Sequence, residues 1–173
     1  MATRTLILMS GYPASGKSTL GAALATELNW PLINKDALLA VIFDALGGAN
    51  GDAALSLRSG QAAWAVFWFM AATHPHAVLD TNIEPKNAEQ RAKLEALGAD
   101  IIEVHCDCPP DLAITRYAAR AQGDRPAQRM TTLTPDRIAK YEGPVGIGRL
   151  VRVDTTKPVD ISAVAAAVRG ALQ

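Results

Sequence analysis

Thr5-Leu6-Ile7-Leu8-Met9-Ser10-Gly11-Tyr12-Pro13-Ala14-Ser15-Gly16-Lys17-Ser18-Thr19-Leu20 joins a short apolar run to a glycine-bounded loop and then to a helical pattern. From Gly11 to Ser18 it reads G-x-x-x-x-G-K-S, the pattern of a phosphate-binding loop set between a strand and a helix. Gly11 lets the strand turn sharply, and Gly16 lets backbone approach a ligand with no Cβ in the way. The loop N–H groups and the following helix N-terminus form an anion site. Lys17 adds a point charge for β- and γ-phosphates, and the Ser18 hydroxyl is suited to Mg²⁺. Gly11, Tyr12, Pro13, Ala14, Ser15, Gly16, Lys17, Ser18 and Thr19 are therefore the expected nucleotide-binding residues.

Working outward, apolar spacing and turn residues alternate strands with helices. Strands are expected at residues 4–9, 31–33, 76–80, 100–105 and 150–153. Helices are expected at 17–28, 37–46, 53–72, 85–97 (with Pro85 at the first helical position), 110–121, 135–141 and 160–172. Such alternation implies a parallel sheet covered on both faces. Residues 62–70 are apolar nearly all round, which marks a helix that is buried or that faces an apolar pocket or partner. Trp64, Phe67, Trp68 and Phe69 there suit an acceptor pocket, a core or a dimer interface.

The 173 residues suffice for one domain with a proper core, and no linker or repeat divides them. Lys and Arg together number 17, as do Asp and Glu, so no uniform attraction to nucleic acid or anionic membrane is indicated. The first residues lead straight into the apolar run, so no signal peptide is expected. Residues 62–72 form the longest apolar stretch, short of the ~20 that span a bilayer. Cys106 and Cys108 are spaced for one strand face and suit reduced thiols in a cytoplasmic protein.

In an open parallel sheet, ligands sit at the C-terminal ends of the strands. Asn34, Lys35 and Asp36 follow the second strand, Asp80, Thr81 and Asn82 the third, Asp107 the fourth, and Asp154, Thr155 and Thr156 the fifth. Three of these four ends are expected to turn a carboxylate toward the loop. Phosphoryl transfer to an alcohol needs a group that takes the hydroxyl proton, and Asp36 suits that work or, alternatively, an N-cap. Asp80 ends an apolar strand where a carboxylate steadies the metal, or bonds local N–H groups instead. Arg116 and Arg120 share a helix face, and Arg125 and Arg129 repeat that spacing. They form either a lid that offsets phosphate charge or a solvated face.

The ordered set G-x-x-x-x-G-K-S-T, I-N-K-D, L-D-T-N-I-x-P and R-x-x-x-R resembles the P-loop kinases of the AAA_33 type. These include the polynucleotide 5′-hydroxyl kinase domain, chloramphenicol phosphotransferase and the zeta-toxin kinases. The resemblance covers nearly the whole chain. It implies a three-layer α/β P-loop NTPase fold with a five-stranded parallel sheet and a small helical lid at about residues 116–134. It implies ATP with Mg²⁺, Asp36 as general base, Lys17, Arg116 and Arg120 on the phosphates, Ser18 and Asp80 at the metal, and Thr155 and Lys157 bordering the adenine. The polynucleotide kinases carry an Arg three residues after the base, where this chain has Leu39 amid apolar residues. That departure favours a neutral or apolar small molecule over nucleic acid as acceptor, in a monomer or homodimer.

Overall fold

The computed structural model describes residues 4–49, 52–121 and 132–172. Five strands form one all-parallel sheet: β1 (Thr5–Ser10), β2 (Leu32–Asn34), β3 (His76–Asp80), β4 (Asp100–Asp107) and β5 (Arg149–Asp154), in the order β2-β3-β1-β4-β5. Among the described residues seven helices accompany them: α1 (Lys17–Leu28), α2 (Lys35–Ala45), α3 (Ala53–Thr73), α4 (Ala88–Ala96), α5 (Pro110–Ala121), α6 (Pro135–Ile138) and α7 (Ile161–Gly170). A 3₁₀ turn, Ala139–Tyr141, extends α6.

Strand β1 lies at the centre, with every residue buried, because its neighbours on both sides and helices on both faces remove it from water. Alternation along the strands divides the apolar side chains into two cores. Ile7, Met9, Val78, Ile102 and Val104 pack under α1 and α7, with Leu24 and Val168. Leu6, Leu8, Ile33, Leu79 and Ile101 pack on the other face, with Phe67 of α3 and Leu94 of α4. Together these make three layers. A smaller cluster of Cys108, Ala113, Leu133 and Ile138 lies beside Tyr12.

Several boundaries differ from the sequence reading. Strand β4 runs to Asp107 because its ladder with β5 continues to the pair Asp107 and Asp154. Arg4 precedes β1, and its guanidinium instead donates to the carbonyls of Ala71 and Leu97, capping helix ends. Pro85 does not open α4. The helix starts at Ala88, and Asn87 caps it by accepting from the Gln90 N–H. Helix α3 is not buried all round: Phe67 is enclosed, Trp64 and Trp68 are half-buried, and Phe69 is 68% exposed.

Candidate functional site

The loop between β1 and α1 is built by backbone constraint. Gly11 has φ 123°, and a Cβ there would stand 2.7 Å from the Cys106 carbonyl. Gly16 has φ 108° and caps α1 with no side chain of its own, so the first N–H groups of the helix face the loop. Ala14 also takes a left-handed conformation, at φ 63°. The Ser15 hydroxyl is buried under the loop without an oxygen or nitrogen partner. Pro13 is half-buried, while Ser18 and Thr19 are exposed at the mouth.

Lys17 is enclosed, and its Nζ donates to the carbonyls of Gly11 at 3.0 Å and Tyr12 at 2.6 Å. Burial pulls its pKa down to about 8, opposed by Cys106, Asp80 and Asp36 and reinforced by the charge of Arg120. Asp80 moves the other way: burial raises its pKa, partly offset by a hydrogen bond from Ser18 and the charge of Lys17. Lys17, Ser18, Asp80, Asp36 and Arg120 thus act on one small volume at the C-terminal edge of the sheet.

The second strand end resolves a choice left open above. The N-cap of α2 is Asn34, whose Oδ1 accepts from the Ala37 N–H at 2.7 Å. Its Nδ2 donates to Asp80. Asp36 lies in the first turn, relieved of capping, and its Oδ1 accepts from Lys35 Nζ at 3.0 Å. Lys35 also sits 5.7 Å from the centroid of the Trp64 ring. Asn34 stands at a strand end in the sequence but with no role there, because its role depends on β2 pairing with β3 in the register Asn34 to Asp80.

The expectation of three carboxylates turned toward the loop is corrected to two, Asp36 and Asp80. Asp107 is paired with Arg152, and Asp154 accepts from the N–H and hydroxyl of Thr156. Those two bonds hold the Asp154 pKa down. The Thr155 hydroxyl donates to the Asp107 carbonyl at 2.9 Å, and its methyl lies over Gly16. Lys157 is exposed, 3.9 Å from Asp154.

Arg116 donates to the Thr155 carbonyl at 3.0 Å and contacts Cys108 Sγ at 3.8 Å. It ties α5 to the turn after β5, while Arg120 is one turn further along. Arg125 and Arg129 lie outside the described residues, as does most of the segment read as a lid.

Buried polar groups missing from the sequence reading cluster on β4. Ser10 Oγ and His105 Nδ1 are hydrogen-bonded at 2.8 Å, one residue before the loop. Burial lowers the His105 pKa against the pull of Asp107 and Glu103. Glu103 is fully buried and accepts from the N–H groups of Val145 and Gly146 at 2.6 and 2.8 Å. No local motif signals it, since its partners are more than forty residues away. Both cysteines are free and buried, and burial pushes the Cys106 thiol up to about 12.

Two open depressions flank this region. One, of about 500 Å³, is lined by Glu84, Lys86, Asn87, Asp136, Ala139 and Lys140 and is strongly charged. The other, of about 430 Å³, runs along α3 to Trp64 and contains no charged residue. Among the described residues no three His, Cys, Asp or Glu side chains gather as a metal cage, and no helix is long and apolar enough to cross a membrane.

Known proteins agree with this architecture. A candidate kinase from Chloroflexus aurantiacus is 32% identical over 100% of this chain and 98% of its own, with a TM-score of 0.79. A gluconokinase from Sinorhizobium meliloti 1021 is 20% identical, covering 99% and 93%, with a TM-score of 0.59. A shikimate kinase from Acinetobacter baumannii is 18% identical, covering 98% and 93%, also at 0.59. The last two share the fold. No curated protein matches. The AAA_33 family model, described as an AAA domain, matches residues 6–142, and the chain belongs to that family, with the fold of the P-loop kinases.

Proposed function

We propose that the protein is a single-domain kinase that transfers the γ-phosphoryl group of ATP to a hydroxyl of a small molecule. The observation that carries this reading is Asp36: a carboxylate freed from capping, steadied by Lys35 and electrostatically coupled to Lys17 and Asp80. A nucleotide-binding module needs no such group. A transferase does, because the acceptor oxygen must be aimed at the γ-phosphorus and lose its proton.

In this reading the N–H groups of residues 11–19 hold the triphosphate, and Lys17 exchanges its loop carbonyls for phosphate oxygens. Arg120, with Arg116 behind it, offsets charge on the transferring group. Thr155 and Lys157 border the adenine. Ser18 and Asp80 present hydroxyl and carboxylate oxygens that interact with each other, a hard donor pair that would fit Mg²⁺ shared with phosphate. Bound there, the ion neutralises phosphate charge. Asp36 receives the hydroxyl proton. The protein is taken as cytoplasmic, and as a monomer or homodimer.

The test is a panel of hydroxylated metabolites and antibiotics, with a 5′-hydroxyl oligonucleotide, incubated with ATP and Mg²⁺ and read by mass. A gain of one phosphate on a small molecule supports the proposal. Transfer only to the oligonucleotide makes it a nucleic-acid kinase, and no transfer at all makes it a binding module.

A further inference from the structure

Helices accept Asn, Asp or Ser at the N-cap with nearly equal preference, so capping α2 does not by itself require Asn34. What sets asparagine apart is a two-sided amide, with an acceptor oxygen on one side and N–H donors on the other. Both sides are engaged here. Oδ1 accepts from the Ala37 N–H at 2.7 Å, and Nδ2 donates to Asp80 Oδ2. The partners themselves tell oxygen from nitrogen, because the backbone N–H needs an acceptor and the carboxylate needs a donor. Aspartate at this position would cap equally well but would set a second carboxylate against Asp80. Serine would also cap, but its shorter side chain stops short of Asp80.

The two contacts join separate parts of the proposed machinery. Asn34 and Asp80 are register partners on β2 and β3, and Met9, the partner of Asp80 on β1, leads through Ser10 into Gly11. Asp80 is 3% exposed, so protein groups rather than water orient its carboxylate. On the other side, the turn that Asn34 caps carries Asp36. The Asp36 carboxylate accepts from Lys35 at 3.0 Å, and Lys35 lies 5.7 Å from the centroid of the Trp64 ring. Trp64 in turn makes an edge contact with Phe67, which is fully buried. Asp36 is therefore held twice, by a side chain braced on the core and by the backbone of the capped turn. The second support leads through Asn34 to Asp80.

We infer that Asn34 is a positioning residue: its amide holds the Asp80 carboxylate and the turn bearing Asp36 in one fixed relation, so that an ion bound at Asp80 steadies Asp36 as well. The inference rests on the kinase reading for the work of Asp36 and of the ion, and on the two hydrogen bonds for the link between them. The bond to Asp80 is charge-assisted, hence stronger and more directional than a neutral one. Its loss frees the carboxylate to rotate and cuts the connection to α2, while the cap survives wherever an acceptor remains at position 34.

Asn34→Ser keeps the cap and removes the donor, whereas Asn34→Ala removes both. The full chain is titrated with the nonhydrolysable ATP analogue AMP-PNP, with and without Mg²⁺, by calorimetry. Amide hydrogen exchange is followed at residues 35–38 in the same two states, and transfer is measured with the hydroxyl panel. Asn34→Ser should bind the metal-free nucleotide within about twofold of the natural chain, yet lose about tenfold or more of the affinity gained with Mg²⁺, because a hydrogen bond to a charged group is at stake. Its kcat should fall with the acceptor KM unchanged. Mg²⁺ with nucleotide should slow exchange at residues 35–38 in the natural chain and not in Asn34→Ser. The effects of Asn34→Ser and Asp80→Asn on the Mg²⁺ step should be non-additive, since one residue acts through the other. An Asn34→Ser variant that keeps the full Mg²⁺ step, additive effects, or a natural chain whose nucleotide affinity ignores Mg²⁺ each overturns the inference, and transfer to a panel alcohol would still leave the kinase reading standing. The expected losses in Asn34→Ser, with no transfer by the natural chain to any acceptor, overturn the kinase reading and leave the link between Asp80 and α2 in place.

Discussion

Asp36 and Lys17 carry opposite demands within one small volume. In the proposed mechanism Asp36 holds a negative charge and accepts a proton, while Lys17 stays cationic although enclosed. Asp36→Asn keeps the shape and removes the proton acceptor. General-base catalysis contributes about 10²–10⁴-fold, so transfer should fall by that order while ATP affinity stays within about twofold. Equal turnover in a single-turnover assay would assign the base elsewhere. For Lys17, burial sets the folded pKa at about 8, below its ordinary value. Below that pH the lysine is protonated whether folded or unfolded, and the burial penalty is present. As pH rises beyond about 8 the folded chain sheds the proton first, the penalty is relieved, and the fold gains stability. Phosphate binding needs the cation, so ATP affinity should decline as pH rises through about 8. Lys17→Met should be weak throughout and lose that dependence, as measured by titration calorimetry from pH 6.5 to 9.5.

At the scale of elements, the buried Glu103 carboxylate matters most for what lies around the site. It joins β4 to the backbone of residues 145–146, and Arg91 of α4 donates to the Val145 carbonyl. This pins the segment that follows α6 and its 3₁₀ turn. That turn carries Tyr141, which feels the charges of Glu84 and Asp36 and whose pKa burial raises. Glu103→Ala leaves the buried Val145 N–H unpaired, while the more exposed Gly146 N–H can turn to water, so the loss should be about 1–3 kcal/mol in urea denaturation. Glu103→Gln keeps one acceptor oxygen and should cost about half as much. The same segment turns through Gly148, with φ 73°, where a Cβ would collide with the Ile101 carbonyl at 1.9 Å. Gly47 has φ 71° but open space around it. Gly148→Ala should therefore destabilise far more than Gly47→Ala, which loses only the backbone preference of about 1 kcal/mol.

Across the whole molecule, the nucleotide of the proposed reading would bridge the loop after β1, Asp80 at the end of β3 and the turn after β5 that Arg116 holds. Ligand at 100 times its Kd stabilises a fold by about 2.7 kcal/mol, which for a domain of this size is about 5–11 °C in Tm. ATP with Mg²⁺ should give a shift of that order. Chelation with EDTA should shrink it while leaving the Tm of the free protein unchanged, because among the described residues no three His, Cys, Asp or Glu side chains gather to hold a structural ion. A fall in the free protein's Tm with EDTA would point to a structural ion instead.

The amino-acid sequence by itself determined the alternation of strands and helices, the G-x-x-x-x-G-K-S loop and the Asp at the head of α2. These are local matters of apolar period, of glycine's freedom at positive φ, and of capping within a few residues. Only the tertiary structure decided the order β2-β3-β1-β4-β5, and with it which side chains meet. Register across β2 and β3 makes Asn34 both a cap and a partner of Asp80, which leaves Asp36 available. Asp107 and Asp154 end strands as Asp80 does, yet Arg152 on the neighbouring strand pairs with the first and Thr156, two residues on, bonds the second. Glu103 and His105 carry no signal in the residues beside them, because their partners arrive from 42 and 95 residues away. Even the limits of β4 and α4 moved, one extended by its ladder and the other started by Asn87 instead of Pro85. Short-range patterns are written in neighbouring residues. The pairing of distant charges is set by how the layers close, and no window of sequence contains both partners.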